Sequence, residues 1–229
     1  MPLTGRRRLM LLSPPTEEAL GDQAYEEILS QSIVLGAAHP LSRAVTRVGQ
    51  QIQVAVDQPQ MNWKFHVIES QEPNAFCLPG GKVFVHTGLF KIVDNEDALA
   101  AVLCHEAAHG LARHGAEKIS YNLVALILLA LIFPSVGQLS NVLVRLVIDL
   151  PFSRKLELEA DRIGLRIMAK SCYDPRASIG VNLALGKLEQ RGMLAHSKYF
   201  STHPPSNERI ESLECVEPCT REQSFFFLN

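Results

Sequence analysis

The sequence contains 229 residues, of which 47% are hydrophobic and 20% are charged, and its formal net charge is -2. This composition argues against an intrinsically disordered chain, and the lack of a strong positive charge argues against a nucleic-acid partner. The five cysteines are scattered without a Cys-x-x-Cys pair, a distribution typical of neither a disulfide framework nor a thiolate zinc site.

The N-terminal residues lack the pattern of a secretory signal, because the arginines at 6–8 precede only a short apolar run. We assign residues 1–15 to an N-terminal extension and residues 16–213 to one folded domain. Whether a membrane anchor or a transit peptide precedes residue 1 stays open.

The first predicted elements are scaffold helices over residues 16–56, where apolar side chains recur every three or four positions. A break is expected at His39-Pro40, because the residue before a proline disfavours helical geometry. Residues 62–70 then alternate apolar and polar side chains, which predicts a strand with one buried face.

A hairpin is predicted next, because Gly80 and Gly81 separate two strand-like runs. We interpret the second run, Lys82–His86, as an exposed edge strand that pairs with an extended substrate. On spacing alone, a purely structural hairpin fits at least as well. The edge-strand interpretation gives five candidate substrate-binding residues: Asn74, Gly80, Gly81, Val83 and Val85.

The next helix is predicted to begin at Asp94 or Asn95 and to continue through Ser120, because its apolar residues keep helical spacing. The pattern His105-Glu106-Ala107-Ala108-His109 therefore falls in mid-helix. Residues 122–150 follow with two apolar stretches, each shorter than the roughly 20 residues that a membrane span requires. Membrane contact stays open there, and a full span is not predicted.

Three further helices are predicted after this apolar region. Ser153 is a candidate N-cap for a helix through Met168, and another helix covers about residues 176–191. Ser206 caps a short helix through Leu213 after the turn at residues 201–205. Residues 214–229 form a C-terminal tail without a clear pattern.

The chemistry of the predicted site begins with His105 and His109. Helical residues four positions apart differ by only about 40° around the axis, so both imidazoles can bind one ion. Zinc accepts nitrogen ligands in a tetrahedral shell, and a catalytic zinc keeps its fourth position for water. Glu106 lies on the same side of the helix and can act as the general base that takes the proton of this water.

A third protein ligand must come from elsewhere in the chain. His114 lies about 180° around an unbroken helix from His105 and is therefore a poor candidate. Glu157 and Asp161 share one face of a predicted helix and could supply a ligand and a carboxylate that orients a ligating histidine. Glu159 points away from that face and is predicted to be exposed to solvent. Spacing alone prefers Glu157 only modestly over other carboxylates.

Several ordered motifs carry a resemblance to a known family. They are Asn74-Ala75-Phe76, Pro79-Gly80-Gly81, the histidine motif, the run from Ser153 to Asp161, Ser201-Thr202-His203-Pro204 and Arg209. Their order resembles the Ste24-like and HtpX-like gluzincin family over about residues 40–213. The segments around Arg6-Arg7-Arg8 and Ala169-Lys170-Ser171-Cys172 are most similar to the Oma-type metalloendopeptidases of the mitochondrial inner membrane.

The resemblance implies a role for each matching residue. It implies one zinc ion per chain held by His105, His109 and Glu157, with Glu106 as general base. It further implies that Asp161 supports a ligand, that His203 stabilises the oxyanion, and that Arg209 supports the same region. It also favours the edge-strand interpretation of Lys82–His86 and membrane association of residues 122–150.

The sequence therefore predicts an α+β, mainly helical zincin-like metalloprotease domain with a small β-sheet and hairpin beside the histidine-motif helix. The expected activity is zinc-dependent endopeptidase cleavage of membrane-associated or misfolded proteins. The resemblance implies quality control at the mitochondrial inner membrane, with a dynamin-like GTPase among the substrates. A homo-oligomer is left open. Three alternatives remain: a non-catalytic membrane-associated scaffold with a structural zinc, a bacterial-type periplasmic quality-control protease, and a soluble exopeptidase.

Overall fold

The computed structural model describes residues 4–132, 153–190, 202–203 and 207–214. These residues form seven α-helices, three strands and one 3-10 helix. The helices are α1 (Pro14–Gln31), α2 (Pro40–Val56), α3 (Glu96–Leu111), α4 (His114–Ile132), α5 (Arg154–Lys170), α6 (Ala177–Gln190) and α7 (Asn207–Glu214). The strands are β1 (Lys64–Ile68), β2 (Ala75–Leu78) and β3 (Lys82–His86), and the 3-10 helix is Thr87–Lys91. The predicted α+β, mainly helical class is confirmed.

Some sequence predictions lie outside these residues. They concern the apolar residues 133–150, the turn around Pro204 and the tail from residue 215, which contains two of the cysteines. Among the helices in the described ranges, none is both long enough and apolar enough to cross a membrane.

The predicted helical segment of residues 16–56 is interrupted by more than the expected break at His39-Pro40. Residues 33–35 are extended and lie along β1, where the amide of Leu35 donates to Val67 O at 2.9 Å and the amide of Glu69 donates to Ile33 O at 2.8 Å. The helical prediction is therefore wrong for this stretch, because its backbone groups pair with a strand that is distant in sequence.

The sheet has the strand order β1-β3-β2, with β1 parallel and β2 antiparallel to β3. The predicted hairpin between β2 and β3 is confirmed. Gly80 and Gly81 occupy its turn with φ of 81° and 86°, a conformation that glycine adopts without a steric penalty.

The predicted position of β3 at an exposed edge is wrong, because β3 is the central strand. Its backbone pairs on both sides, and the side chains of Val83 and Val85 are 1% and 0% exposed. The polar residue Lys82 suggested exposure, yet it is buried with its ammonium 2.5 Å from Asp22 Oδ1. Because a partner from α1 neutralises it, this lysine occupies a buried strand at a modest cost.

Helix α3 lies at the centre of the fold, where it contacts α2, α5, α6 and β2. Every residue from Ala98 to His109 is buried, including both histidines. Helix α5 approaches α3 closely at Gly164, where an added Cβ would lie 3.3 Å from the backbone of Cys104 and His105. This close approach places the carboxylates of α5 beside the imidazoles of α3.

The prediction of one helix through Ser120 is wrong, because α3 ends at Leu111 and a new helix begins at His114. Between them Arg113 adopts a left-handed conformation with φ of 56°. Its guanidinium is fixed by α1 and the preceding segment, through Glu17 Oε2 at 2.5 Å and Leu12 O at 3.1 Å. The histidine motif therefore ends in the last turn of α3, not in mid-helix.

Candidate metal centre

His105 and His109 project from the same side of α3, as expected for residues four positions apart. Their Nε2 atoms are 3.1 Å apart, and both side chains are buried. Two Nε2 atoms that converge in this way can bind one ion.

Helix α5 adds Glu157 to this pair. Its Oε2 lies 3.3 Å from His105 Nε2, and its Oε1 lies 3.3 Å from His109 Nε2. Ligand atoms of a tetrahedral zinc are about 3.4 Å apart, given metal–ligand bonds of about 2.0–2.1 Å. The separations, two of which are measured to different oxygens of Glu157, place two imidazoles and one carboxylate within reach of a single zinc ion.

One buried carboxylate oxygen also points to a bound water. Glu106 Oε1 accepts no hydrogen bond of good geometry from the described residues, and His203 Nε2 lies 3.6 Å away from it. Buried polar atoms are rarely left in this state, because it costs roughly 1–3 kcal/mol per group. A water molecule at Glu106 would supply the missing partner, whereas Glu157 Oε2 already lies 3.0 Å from Arg209 Nη1.

The ionisation of Glu157 and His109 suits metal binding. Burial alone would raise the pKa of Glu157, but His203, His105 and His109 outweigh this effect and hold the pKa well below its usual range. Burial lowers the pKa of His109 well below its usual range, so its imidazole is neutral. A carboxylate and a neutral imidazole are the ligand forms that zinc requires.

Asp161 and Arg209 contact the candidate ligands His105 and Glu157 and fix their orientation. Asp161 Oδ1 lies 2.9 Å from His105 Nδ1, so the other ring nitrogen is left for an ion. Arg209 donates to both carboxylate oxygens of Asp161 at 2.7 and 2.8 Å, and its Nη1 lies 3.0 Å from Glu157 Oε2. Burial opposes ionisation of Asp161, but Arg209 and His105 lower its pKa to about 2.

Glu106 and His203 lie beside the ligands. His203 Nδ1 is 3.1 Å from Glu157 Oε1, and its Nε2 is 3.6 Å from Glu106 Oε1. Both side chains are buried, and burial raises the pKa of Glu106 in spite of the neighbouring His203 and His105. A raised pKa suits a carboxylate that takes up and releases a proton.

Seven sequence-predicted site residues therefore meet in one cluster, namely His105, Glu106, His109, Glu157, Asp161, His203 and Arg209. The ligand atoms of the four residues His105, His109, Glu157 and His203 all lie within 4.8 Å of one another. The cluster joins α3, α5, α7 and the short segment 202–203.

The five predicted substrate-binding residues all have structural roles in the sheet or its turns, and their role in substrate binding stays a prediction. Val83 and Val85 are in the core, Gly81 O accepts the amide of Lys64 at 3.0 Å, and Asn74 O accepts the amide of His86 at 2.9 Å. Gly80 forms the hairpin turn. Of the three strands, β2 makes the most extensive contact with the histidine helix, and its Cys77 Sγ is 3.0 Å from the place where a Cβ on Gly110 would lie.

The sequence did not predict the side chains that contact His109 on the side of its Nδ1 atom, namely His114 and, through it, Glu159. The buried His114 places Nδ1 3.0 Å from His109 Nδ1 and Nε2 3.1 Å from Glu159 Oε2. The prediction that Glu159 is solvent-exposed is wrong, since its side chain is only 13% exposed and also pairs with Arg6. The missed signals were the histidine just after the motif and the arginines at the N-terminus.

Comparisons with known proteins agree with this geometry. Peptidase family M48 matches residues 41–217. Mitochondrial metalloendopeptidase OMA1 of Schizosaccharomyces pombe is 40% identical over 93% of this chain and 65% of its own length. Metalloendopeptidase OMA1, mitochondrial, of Homo sapiens is 32% identical over 95% of this chain and 45% of its own length. The Beta-barrel assembly-enhancing protease of Escherichia coli is 31% identical over 72% of this chain and 37% of its own length. The chain thus spans less than two thirds of each of these three relatives.

Proposed function

This chain belongs to peptidase family M48, and from that premise we propose that it is a zinc-dependent endopeptidase with one zinc ion per chain. The observation that carries the proposal is the convergence of His105, His109 and Glu157 at separations of 3.1 to 3.3 Å, with Glu106 buried beside them. Two imidazoles and a carboxylate leave one position of a tetrahedral zinc for water, which is the pattern of a catalytic site.

The bound zinc would act as a Lewis acid and lower the pKa of its water toward about 7. Glu106 takes a proton from the attacking water and delivers it to the nitrogen of the departing amine. His203 Nε2 donates a hydrogen bond to the substrate carbonyl oxygen as negative charge develops on it. Asp161 orients the ring of His105, and Arg209 holds the carboxylates of Asp161 and Glu157 in place.

The extended substrate pairs with β2 rather than with β3. Within the described residues β2 pairs only with β3, so its other edge is available to an added strand. The approach of Cys77 to Gly110 places this edge next to the histidine helix. A peptide on β2 would therefore run beside Glu106 and the metal ligands.

A structural zinc site in a non-catalytic scaffold is the main rival, with His203 as a fourth protein ligand. The four-residue group within 4.8 Å is compatible with such a site. The rival gives no role to the buried carboxylate of Glu106, whereas catalysis requires a base at that position.

The substrates are misfolded or membrane-associated proteins, with a dynamin-like GTPase among them, and the site of action is the mitochondrial inner membrane. Support comes from the mitochondrial names of the OMA1 relatives and from the motif resemblance.

The catalytic domain, predicted to begin at residue 16, extends further towards the N-terminus and includes Arg6. The ion pairs of Arg6 with Glu117 and Glu159 support this boundary.

The test compares Glu106→Gln with the parent chain. The variant keeps about one zinc per chain, because Glu106 is not a ligand, and it loses cleavage of denatured casein. Zinc is measured by atomic absorption, and mass spectrometry of the parent's products shows internal cuts rather than trimmed termini. The proposed mechanism is wrong if Glu106→Gln cleaves casein as fast as the parent, and products shortened only from their ends would indicate an exopeptidase.

A further inference from the structure

A line of side chains runs from the N-terminal segment to the metal ligand His109. The guanidinium of Arg6 donates to Glu159 at 2.7 and 3.1 Å, Glu159 Oε2 lies 3.1 Å from His114 Nε2, and His114 Nδ1 lies 3.0 Å from His109 Nδ1. His114 is 0% exposed. Each contact in this line has the length of a hydrogen bond.

The direction of these hydrogen bonds follows from the role of His109. A neutral imidazole that uses Nε2 for an ion carries its proton on Nδ1 and must donate from there. His114 Nδ1 is then an acceptor, so the proton of His114 resides on Nε2. That proton is donated to the carboxylate of Glu159. One arrangement of protons therefore satisfies the whole line and keeps the proton of His109 on Nδ1, so that the lone pair of Nε2 faces the proposed metal position.

The same arginine ties the N-terminal segment to two helices. Besides Glu159 of α5, Arg6 holds Glu117 of α4 through contacts of 2.6 and 2.8 Å. Further along the segment, Arg8 donates to Ala112 O at the end of α3, and the amide of Leu11 donates to Ser120 Oγ at 2.9 Å. The segment from Arg6 to Leu11 thus lies along the corner between α3 and α4 from which His114 projects.

We propose that His114 is a positioning residue for the metal ligand His109, and that Arg6, acting through Glu159, couples attachment of the N-terminal segment to metal affinity. The proposal rests on the zinc site proposed above and adds a specific support to one ligand. Groups that fix the second nitrogen of a ligating histidine set the orientation and the basicity of the ring. A change that detaches residues 6–11 from the domain would accordingly weaken metal binding without touching a ligand.

The experiment measures the zinc dissociation constant of the full chain by competition with a chromogenic chelator. His114→Leu keeps the site apolar and filled but removes the acceptor, and we expect zinc to bind about 10–100-fold more weakly. His114→Asn can place its side-chain oxygen near the position of Nδ1, so it should bind zinc more tightly than His114→Leu. Arg6→Ala should weaken binding less than His114→Leu.

A double variant separates coupling from general destabilisation. If Arg6 acts through His114, Arg6→Ala adds little to the loss caused by His114→Leu. The matched control is Arg47→Ala, which breaks an exposed ion pair with Glu96 elsewhere on α3 and should leave zinc affinity unchanged. Melting of the metal-free variants shows whether a lost affinity reflects only a less stable fold.

Equal zinc affinity in His114→Leu and the parent would overturn the proposal, and so would an equal loss in Arg47→Ala and Arg6→Ala. If His114→Leu does not fold, His114→Asn and Arg6→Ala decide the question in the same assay, since unchanged affinity in both contradicts the coupling. A parent chain that binds no zinc would refute the proposed metal site itself. If the parent binds zinc and the variants bind it with the same affinity, only the positioning role of His114 is refuted.

Discussion

Asp161 binds no substrate atom in the proposed mechanism, yet it holds two other members of the site. Arg209 approaches it with two donors at 2.7 and 2.8 Å, and His105 Nδ1 lies 2.9 Å away. A pKa lowered to about 2 keeps this carboxylate ionised at neutral pH. Its negative charge therefore orients His105 and balances the buried guanidinium.

Asp161→Asn should weaken zinc binding by about 10–100-fold, because the amide is a poorer acceptor for His105 Nδ1. It should also lower the free energy of unfolding by roughly 1–3 kcal/mol, because the buried Arg209 loses one of its two charged partners and keeps the other, Glu157. Chelator competition and urea unfolding measure the two effects.

The matched control is Glu211→Gln, an exposed carboxylate on the same helix as Arg209, which should change neither quantity. Zinc affinity equal to the parent's in Asp161→Asn would mean that His105 is oriented by other groups.

For individual residues, the sequence predicts the two histidines of the motif better than the residues that contact them. The spacing of His105 and His109 identifies two candidate ligands, since helical geometry alone brings them together. Glu157 lies on another helix, so spacing prefers it only modestly and the family motifs are needed. The sequence argument against His114 as a ligand assumed an unbroken helix, and its contact with His109 depends on a helix break that the apolar pattern does not reveal.

At the scale of elements, the crossing of α3 and α5 determines the geometry of the site. Gly164 allows the crossing, because a Cβ there would lie 3.3 Å from backbone atoms of Cys104 and His105. Backbone atoms cannot rotate away as a flexible side chain can. The absence of a side chain at Gly164 therefore sets how closely Glu157 and Asp161 approach the histidines.

Gly164→Val should push α5 away from α3 and lower the free energy of unfolding by about 1–3 kcal/mol, the usual cost of overpacking. Zinc affinity should fall as well, since the carboxylates move relative to the imidazoles. Denaturant unfolding and chelator competition give the two values.

Gly180→Val provides the comparison, because an added Cβ at this exposed helical position meets nothing within 4 Å. Its stability should remain within about 0.5 kcal/mol of the parent's. Similar losses in the two variants would show that helix propensity, not the crossing, explains the effect.

Periodicity identifies most elements but misses those that depend on distant partners. The cap of α3 by Asn95 and that of α5 by Ser153 are confirmed, because a cap is a local interaction. The break at Arg113 is not visible locally, since Glu17 and Leu12 stabilise it from α1 and the preceding segment. The central position of β3 was likewise hidden by Lys82, whose buried charge depends on Asp22.

At the scale of the molecule, the family assignment and the fold class predicted from the sequence are confirmed. The predicted enzyme class, a metalloendopeptidase, agrees with the family and with the relatives' names. Ordered motifs identify a family because each is tied to the same site, even when they are far apart along the chain. The arrangement of strands around that site carries no comparable signature, so the position of β3 in the sheet was predicted incorrectly.

The metal site joins parts of the chain that are distant in sequence, so an ion bound there should stabilise the whole domain. The candidate ligands come from α3 and α5, and His203 lies against Glu157 from a third segment. Without an ion, Asp161 and Glu157 outweigh burial and raise the pKa of His105 to about 10, which places a buried positive charge in the cluster. Metal binding releases this proton and replaces the charge of the imidazolium with that of the ion.

Removal of metal by a chelator should therefore lower the melting temperature of the parent chain, and added zinc should restore it. A ligand that binds only the folded state contributes about 2.7 kcal/mol when its concentration is 100 times its dissociation constant. His105→Ala removes a ligand and should make melting insensitive to the chelator. His39→Asn changes a histidine outside the site and keeps an N-cap for α2, so its melting should respond as the parent's does. A parent whose melting temperature does not change with the chelator would contradict the view that the metal holds α3 and α5 together.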